Sequence, residues 1–193
     1  MATQGDVERF EPLQRFCGGA VVRGVKEILG VQFRNMATMG GSVASKFGFS
    51  DIIPALLAVH ADIVTYKGGR MSMKDYMNYR ERDILVEIRI PKREVPVAVE
   101  ALRISRGDFP YLTGSIRRDD TAYEVYIGTR PGAPQLAEKA SALLSEKGLD
   151  ALDEAARVAS EELVYQKNSH ASKEYRIEMA KAMVRRLVKE VAQ

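Results

Sequence analysis

Two prolines near the middle of the sequence divide it into two parts with different patterns. The segment Ile90-Pro91-Lys92-Arg93-Glu94-Val95-Pro96 ends an alternating, strand-like pattern and precedes a new one. Proline lacks a backbone N–H group and fixes its φ angle, so neither a helix nor a central strand is expected to run through this segment. We therefore divide the 193-residue chain into residues 1–95 and 96–193.

The first part mixes helix-like and strand-like segments. Residues 20–29 carry apolar side chains at helical spacing. Asp51 followed by Pro54 is typical of a helix start, so we expect Asp51 to cap an apolar, buried helix over residues 53–60. Apolar residues alternate along 83–90, which predicts a half-buried strand. The side chains expected on its buried face are Ile84, Val86, Ile88 and Ile90.

The second part has the pattern of three strands followed by three helices. The strand-like segments are 97–105, 111–117 and 122–129. The helical segments are 135–147, 152–163 and 172–191. The sequence therefore predicts an α+β protein, with a mixed sheet and helices in residues 1–95 and a three-stranded antiparallel sheet with three helices in residues 96–193.

Composition excludes several classes of function. Cys17 is the only cysteine and there are two histidines, so disulfide frameworks, cysteine zinc sites, protein-bound iron–sulfur clusters and other metal sites are not expected. A net charge of +3 without a long basic run argues against nucleic acid as a partner. The sequence has no apolar run of the ~20 residues that span a bilayer, and no apolar signal core at its start, so we expect a cytoplasmic protein. Redox chemistry would need an organic cofactor or a partner subunit.

Residues 33–45 combine paired glycines with hydroxyl side chains. Glycine lets backbone N–H groups approach phosphate oxygens, and Thr38, Ser42 and Ser45 add hydroxyl donors. Asp51, a few residues later, could accept a hydrogen bond from a ribose hydroxyl. The same pattern also suits a tight turn between core elements, and neither a Walker sequence nor G-x-G-x-x-G is present. Both interpretations stay open on this pattern alone.

Several motifs together resemble one known family. In the first part they are Arg34-Asn35-x-Ala37-Thr38-x-Gly40-Gly41, Asp51-x-x-Pro54-Ala55-Leu56-Leu57-Ala58 and Ile88-x-Ile90-Pro91. In the second part they are Arg103-x-Ser105-Arg106-Gly107-Asp108, Arg130-Pro131 and Ser172-x-Glu174-Tyr175-Arg176. In this order the motifs resemble the FAD-binding subunit of molybdenum hydroxylases, the flavoproteins of xanthine dehydrogenase and carbon monoxide dehydrogenase.

The resemblance implies an electron-transfer subunit of an oxidoreductase. In that family a molybdopterin subunit hydroxylates the substrate, and electrons pass through two [2Fe–2S] clusters on an iron–sulfur subunit. They then reach FAD on the flavoprotein and leave to NAD or another acceptor. Such a chain needs no catalytic side chain of its own, and we expect it to be inactive without its partner subunits.

The resemblance also assigns cofactor-binding residues. It implies that the loop Thr38-Met39-Gly40-Gly41-Ser42 contacts the FAD pyrophosphate, that Ser45 adds a hydroxyl contact, and that Asp51 is the acidic contact. Leu85 matches a backbone or apolar contact near the flavin. Arg103 stands where many relatives have a lysine near the isoalloxazine, and its permanent charge would stabilise an anionic reduced flavin.

The family also has a preceding lobe with a second glycine-rich loop, and residues 1–16 contain no such loop. Three explanations are compatible with the sequence: a fragment, a separate chain that supplies the lobe, or a scaffold subunit that no longer binds FAD. We expect apolar surface that such a lobe would cover to promote self-association or partner binding.

Overall fold

The computed structural model describes residues 1–193 and contains helices, strands and two short 3-10 turns at Phe16–Gly19 and Gly148–Ala151. The α-helices are α1 (Gln4–Arg9), α2 (Glu11–Arg15), α3 (Ala20–Lys26), α4 (Val31–Met36), α5 (Met39–Ala44), α6 (Ile52–Ala58), α7 (Met73–Asn78), α8 (Glu138–Lys147), α9 (Leu152–Glu162) and α10 (Lys173–Ala192). The strands are β1 (Asp62–Thr65), β2 (Gly69–Ser72), β3 (Leu85–Arg89), β4 (Val97–Leu102), β5 (Leu112–Asp119), β6 (Ala122–Gly128) and β7 (Gln135–Leu136). These elements confirm the α+β class.

The first part contains a small sheet with the strand order β2-β1-β3. Both pairings are antiparallel, so the prediction of a mixed sheet is wrong. The physical reason lies in the connections. Only residues 66–68 join β1 to β2, and such a short link can form a hairpin but not the long crossover that a parallel pair requires.

Strand β3 contains an irregularity that overturns part of its predicted burial. Thr65 pairs with Leu85 whereas the preceding Val64 pairs with Glu87, so Val86 is an extra residue in the ladder. The bulge shifts the alternation, and Ile84 and Val86 are 70% and 60% exposed. The prediction that these two side chains face the core is therefore wrong. Ile88 and Ile90 do pack against the first hydrophobic core, as predicted, and Leu85 also packs there.

The second part contains an antiparallel sheet with the strand order β4-β5-β6-β7. Its first three strands and the three helices α8, α9 and α10 match the predicted order. The predicted sheet lacked β7, and the helix expected from residue 135 begins at Glu138. A strand of two residues shows no measurable alternation, so its pairing with β6 is set by tertiary structure and not by local pattern.

This second sheet lies between two hydrophobic cores. Val97, Val99 and Tyr126 belong to the first core, with residues of the first part, whereas their neighbours Ala98 and Val125 belong to the second core. Because successive side chains of a strand point to opposite faces, one face of the sheet packs on the first part and the other on α8 and α10. The two parts are therefore joined through the sheet.

Two helices of the first part, α3 and α6, pack directly on this sheet. Helix α3 contacts β4, whereas α6 also contacts β5 and β6, and the hydroxyl of Ser115 donates a hydrogen bond to the carbonyl of Pro54 over 2.7 Å. All seven residues of α6 are buried. The start of α6 is thereby fixed against the second part. No helix of the structure has both the length and the apolarity needed to cross a lipid bilayer.

Candidate functional site

A cleft of about 630 Å³ lies where the two parts meet. Residues of the first part form most of its wall, and the segment 103–109 of the second part closes one side. Small-molecule sites generally fall between 300 and 1,000 Å³, so the cleft has the volume of a ligand site. Six of the nine predicted cofactor-binding residues line it, namely Thr38, Gly41, Ser42, Ser45, Asp51 and Arg103.

The other three predicted residues do not line the cleft. Met39 is buried in the first core, and Leu85 packs against that core from β3. A Cβ atom placed on Gly40 would lie 3.7 Å from Leu85 Cδ2, so Gly40 faces β3. A contact between the cofactor and Met39, Gly40 or Leu85 stays a prediction.

The backbone N–H groups at the start of α5 are largely engaged within the chain. The Thr38 hydroxyl caps the helix by accepting from the N–H of Gly41 over 3.0 Å, and the N–H of Ser42 donates to the Thr38 carbonyl over 3.1 Å. The N–H of Met39 donates to the carbonyl of Ala2 over 3.0 Å. These three amides are therefore not free to hold a diphosphate, and the loop presents side-chain oxygens to the cleft.

The N-terminal residues complete this wall of the cleft. Thr3 pairs with Thr38 in an isolated antiparallel bridge, which brings Gln4 beside α5. Gln4 is 2% exposed, lines the cleft, and donates from Nε2 to the hydroxyl of Ser42 over 2.8 Å. Sequence reasoning missed Gln4, because its position depends on a pairing between residues 33 positions or more apart and leaves no local pattern.

A buried ion pair joins the two parts at the base of the cleft. Arg103 Nη2 lies 2.5 Å from Asp51 Oδ1, and each side chain is 8% exposed. Glu27 is 3.5 Å from Arg103 Nη1, which has no hydrogen-bond acceptor although it is buried. Burial raises the pKa of Asp51 to about 6, while the Arg103 charge opposes that rise.

This ion pair corrects the predicted role of Asp51 as a helix cap. The Asp51 side chain makes no capping hydrogen bond. Instead, the hydroxyl of Ser50 accepts from the N–H of Ile53 over 3.2 Å, at the first turn of α6. The carboxylate of Asp51 is directed to Arg103 because an opposite charge in a buried setting offers a stronger interaction than a backbone amide.

Three phenylalanines form an aromatic cluster on another part of the cleft wall. The rings of Phe47 and Phe49 stack with their centroids 4.9 Å apart, and the ring of Phe109 lies 4.4 Å from that of Phe49. All three line the cleft, and Phe47 and Phe109 are largely exposed. No sequence pattern predicted the cluster, because Phe109 comes from the second part and is distant in sequence from Phe47 and Phe49. The cluster offers flat apolar surface on which a planar ring could stack.

Part of the sequence is similar to a protein of Escherichia coli. The chain is 27% identical over 118 residues to YgfM of Escherichia coli (strain K12), an alignment that covers 60% of this chain and 46% of YgfM. The chain thus matches about half the length of that relative.

Solved structures share the fold. Quinoline 2-oxidoreductase from Pseudomonas putida 86 superposes with a TM-score of 0.89 at 20% identity, covering 100% of this chain and 73% of that chain. Carbon monoxide dehydrogenase from Hydrogenophaga pseudoflava superposes with a TM-score of 0.88 at 22% identity, again covering 100% and 73%.

Two family models match consecutive stretches of the sequence. Residues 4–93 match the FAD binding domain in molybdopterin dehydrogenase, and residues 98–191 match the CO dehydrogenase flavoprotein C-terminal domain. Together the two matches cover nearly the whole chain, in the order that the resemblance of the motifs implied, and the first identifies FAD as the cofactor of the family. The chain belongs to the FAD-binding flavoprotein subunits of the molybdenum hydroxylases.

Proposed function

We propose that this chain is the electron-transfer flavoprotein component of a molybdenum hydroxylase of the xanthine dehydrogenase type, and that its cleft holds part of the FAD. The observation that carries the proposal is the gathering of six expected contact residues in one cleft between the two parts. Those residues come from separate segments of the sequence, so their proximity is not a trivial result of chain connectivity.

The chemistry of the cleft fits the cofactor. FAD combines planar rings, hydroxyl groups and a negatively charged diphosphate. The cleft offers an aromatic cluster of Phe47, Phe49 and Phe109, several side-chain oxygens, and the guanidinium of Arg103. Arg103 Nη1 is buried without a hydrogen-bond acceptor, a state that a ligand oxygen would relieve.

Each group of residues has a separate task in this proposal. FAD supplies the redox chemistry, since it exchanges one or two electrons. The positively charged guanidinium of Arg103 stabilises negative charge on the ligand. Asp51 holds the guanidinium in place through the 2.5 Å contact. The phenylalanines exclude water from the ring-binding surface, which strengthens the electrostatic effect of Arg103. No side chain is required as a nucleophile or acid–base catalyst.

The proposal extends to partners. Electrons would arrive from [2Fe–2S] clusters on an iron–sulfur subunit, after substrate hydroxylation on a molybdopterin subunit, and would leave to NAD or another acceptor. The Cu,Mo-containing CO dehydrogenase superposes on this chain with a TM-score of 0.85, and the molybdenum of that enzyme supports a molybdenum-bearing partner. Exposed apolar side chains such as Val31, Phe33 and Met36 on α4 are available for contact with a further chain or a second copy.

A titration with FAD tests the proposal. The full chain is mixed with FAD, and quenching of flavin fluorescence is followed to saturation. We expect saturable binding that Arg103→Met weakens, together with a lower reduction potential of the bound flavin in that variant. Arg106→Met is the matched control, because Arg106 is exposed and lies outside the cleft lining.

The result also distinguishes the alternative. A chain that takes up no FAD, alone or with partner subunits present, would be a scaffold of such a complex and would refute the electron-transfer proposal. Equal effects of the Arg103 and Arg106 substitutions would remove Arg103 from the flavin site.

A further inference from the structure

Gln4 is a buried side chain with one unused hydrogen-bonding atom in the cleft wall. Its Nε2 donates to the hydroxyl of Ser42, whereas its Oε1 is buried and accepts from no donor. Leaving a buried polar atom without a partner costs free energy. Such an atom on a ligand-sized cleft therefore points to a partner supplied by the ligand.

The hydrogen-bond network fixes which atom of the Gln4 amide is free. The Ser42 hydroxyl has a single hydrogen, and it donates that hydrogen to the Thr38 carbonyl over 3.0 Å. Ser42 Oγ can therefore only accept from Gln4. A flipped amide would set Oε1 against the lone pairs of Ser42 or break the bond from Ser42 to Thr38, so the orientation with Nε2 on Ser42 keeps both hydrogen bonds and leaves Oε1 for another donor.

The neighbouring groups extend this acceptor character. The hydroxyl of Ser45 donates to the carbonyl of Ser42 over 2.9 Å, so its hydrogen is also used within the chain. The buried carboxylate of Asp51 lines the same cleft and accepts only. On this wall a ligand meets oxygen acceptors, while Arg103 supplies the positive charge at the side formed by the second part.

We propose that Gln4 determines ligand specificity by accepting, at Oε1, a hydrogen bond from a hydroxyl or amino group of the bound dinucleotide. A phosphate oxygen cannot fill this role at neutral pH, because it carries no hydrogen to donate. The candidate donors are a ribityl hydroxyl, the N3–H group of the flavin ring, a ribose hydroxyl and the adenine amino group. The inference rests on the proposed function and adds a binding residue from the N-terminal segment.

The substitution Gln4→Met tests this assignment. Methionine keeps the volume and removes the acceptor, so we expect FAD to bind about tenfold more weakly. The free energy of unfolding should change little, because two effects oppose each other. Loss of the hydrogen bond to Ser42 destabilises the folded chain, whereas loss of the unsatisfied buried acceptor stabilises it. Gln14→Met is the matched control, since Gln14 is exposed and lies outside the cleft.

Competitors identify the donor. Riboflavin, ADP and inorganic pyrophosphate are each used to displace FAD from the wild-type protein and from Gln4→Met. A loss confined to riboflavin assigns a donor of the flavin half, a ribityl hydroxyl or the ring N3–H, and a loss confined to ADP assigns the ribose or adenine. An equal loss for pyrophosphate would place the diphosphate at Gln4 and overturn the assignment.

Ser42 serves as a test of the positioning network. Ser42→Ala frees the amide of Gln4 to rotate, so we expect weaker FAD binding in the wild-type background and no further weakening in Gln4→Met. Unchanged FAD affinity in Gln4→Met overturns the inference but leaves the proposed function intact. A wild-type chain that binds no FAD refutes the proposed function, and the inference with it.

Discussion

Substitution of Asp51 by asparagine should remove a specific pH dependence of stability. Burial raises the pKa of Asp51 to about 6, from 3.8 for an unperturbed aspartate. The folded chain therefore binds a proton at this site more tightly than the unfolded chain does. This contribution to stability is fully present below about pH 3.8 and is lost as the pH rises through about 6.

The size of the effect follows from the pKa. Between pH 7 and pH 5, the stabilisation by proton binding to Asp51 builds up mainly over the one pH unit below the pKa of about 6. One unit corresponds to about 1.4 kcal/mol, so protonation of Asp51 should stabilise the wild-type protein by about 1 kcal/mol over this interval. The amide in Asp51→Asn does not titrate and provides no such increment.

Urea unfolding at pH 7 and pH 5 measures the difference. Carboxylates with lowered pKa values, such as Glu8, Asp119 and Glu124, are common to both proteins, so their contributions cancel in the comparison. We expect the free energy of unfolding to rise by about 1 kcal/mol more in the wild type than in Asp51→Asn. Equal changes in the two proteins would show that Asp51 is not held in a desolvating site.

Further substitutions test the packing around the cleft. A Cβ atom on Gly24 would lie 2.8 Å from the backbone oxygen of Asp51, so Gly24→Ala should lower the free energy of unfolding by roughly 1–3 kcal/mol in urea titrations. Gly40→Ala meets only Leu85 at an ordinary 3.7 Å and should raise it by roughly 0.5–1 kcal/mol in the same assay. Arg176 is fully buried and donates to backbone carbonyls, so Arg176→Met should cost about 3 kcal/mol or more, and a smaller loss would contradict its structural role.

The order of elements was predictable because it rests on local patterns. Helical spacing along residues 172–191 and alternation along 122–129 are properties of short windows, and both elements form with nearly the expected bounds. The failures have a common cause. The bulge at Val86 and the pairing of β7 depend on the partner strand, which no window of the sequence contains.

The candidate site was likewise predictable only in part. The resemblance of motifs pointed to Asp51 and Arg103 separately, whereas their ion pair spans 52 positions of the chain. Gln4 and the aromatic cluster carried no motif, and the structure alone brings them to the cleft. The contact of Thr38 with a diphosphate stays a prediction, and the structure adds that its hydroxyl caps α5.

The geometry of the cleft depends on the contact between α6 and the second sheet. Asp51 immediately precedes α6, and Arg103 immediately follows β4, so the distance between their side chains is set by how the two elements pack. The hydrogen bond from Ser115 to the Pro54 carbonyl holds the start of α6 against β5. Any loosening of this interface would separate the ion pair and widen the cleft. The same packing that buries the first core therefore also fixes the charge of Arg103 at the base of the cleft.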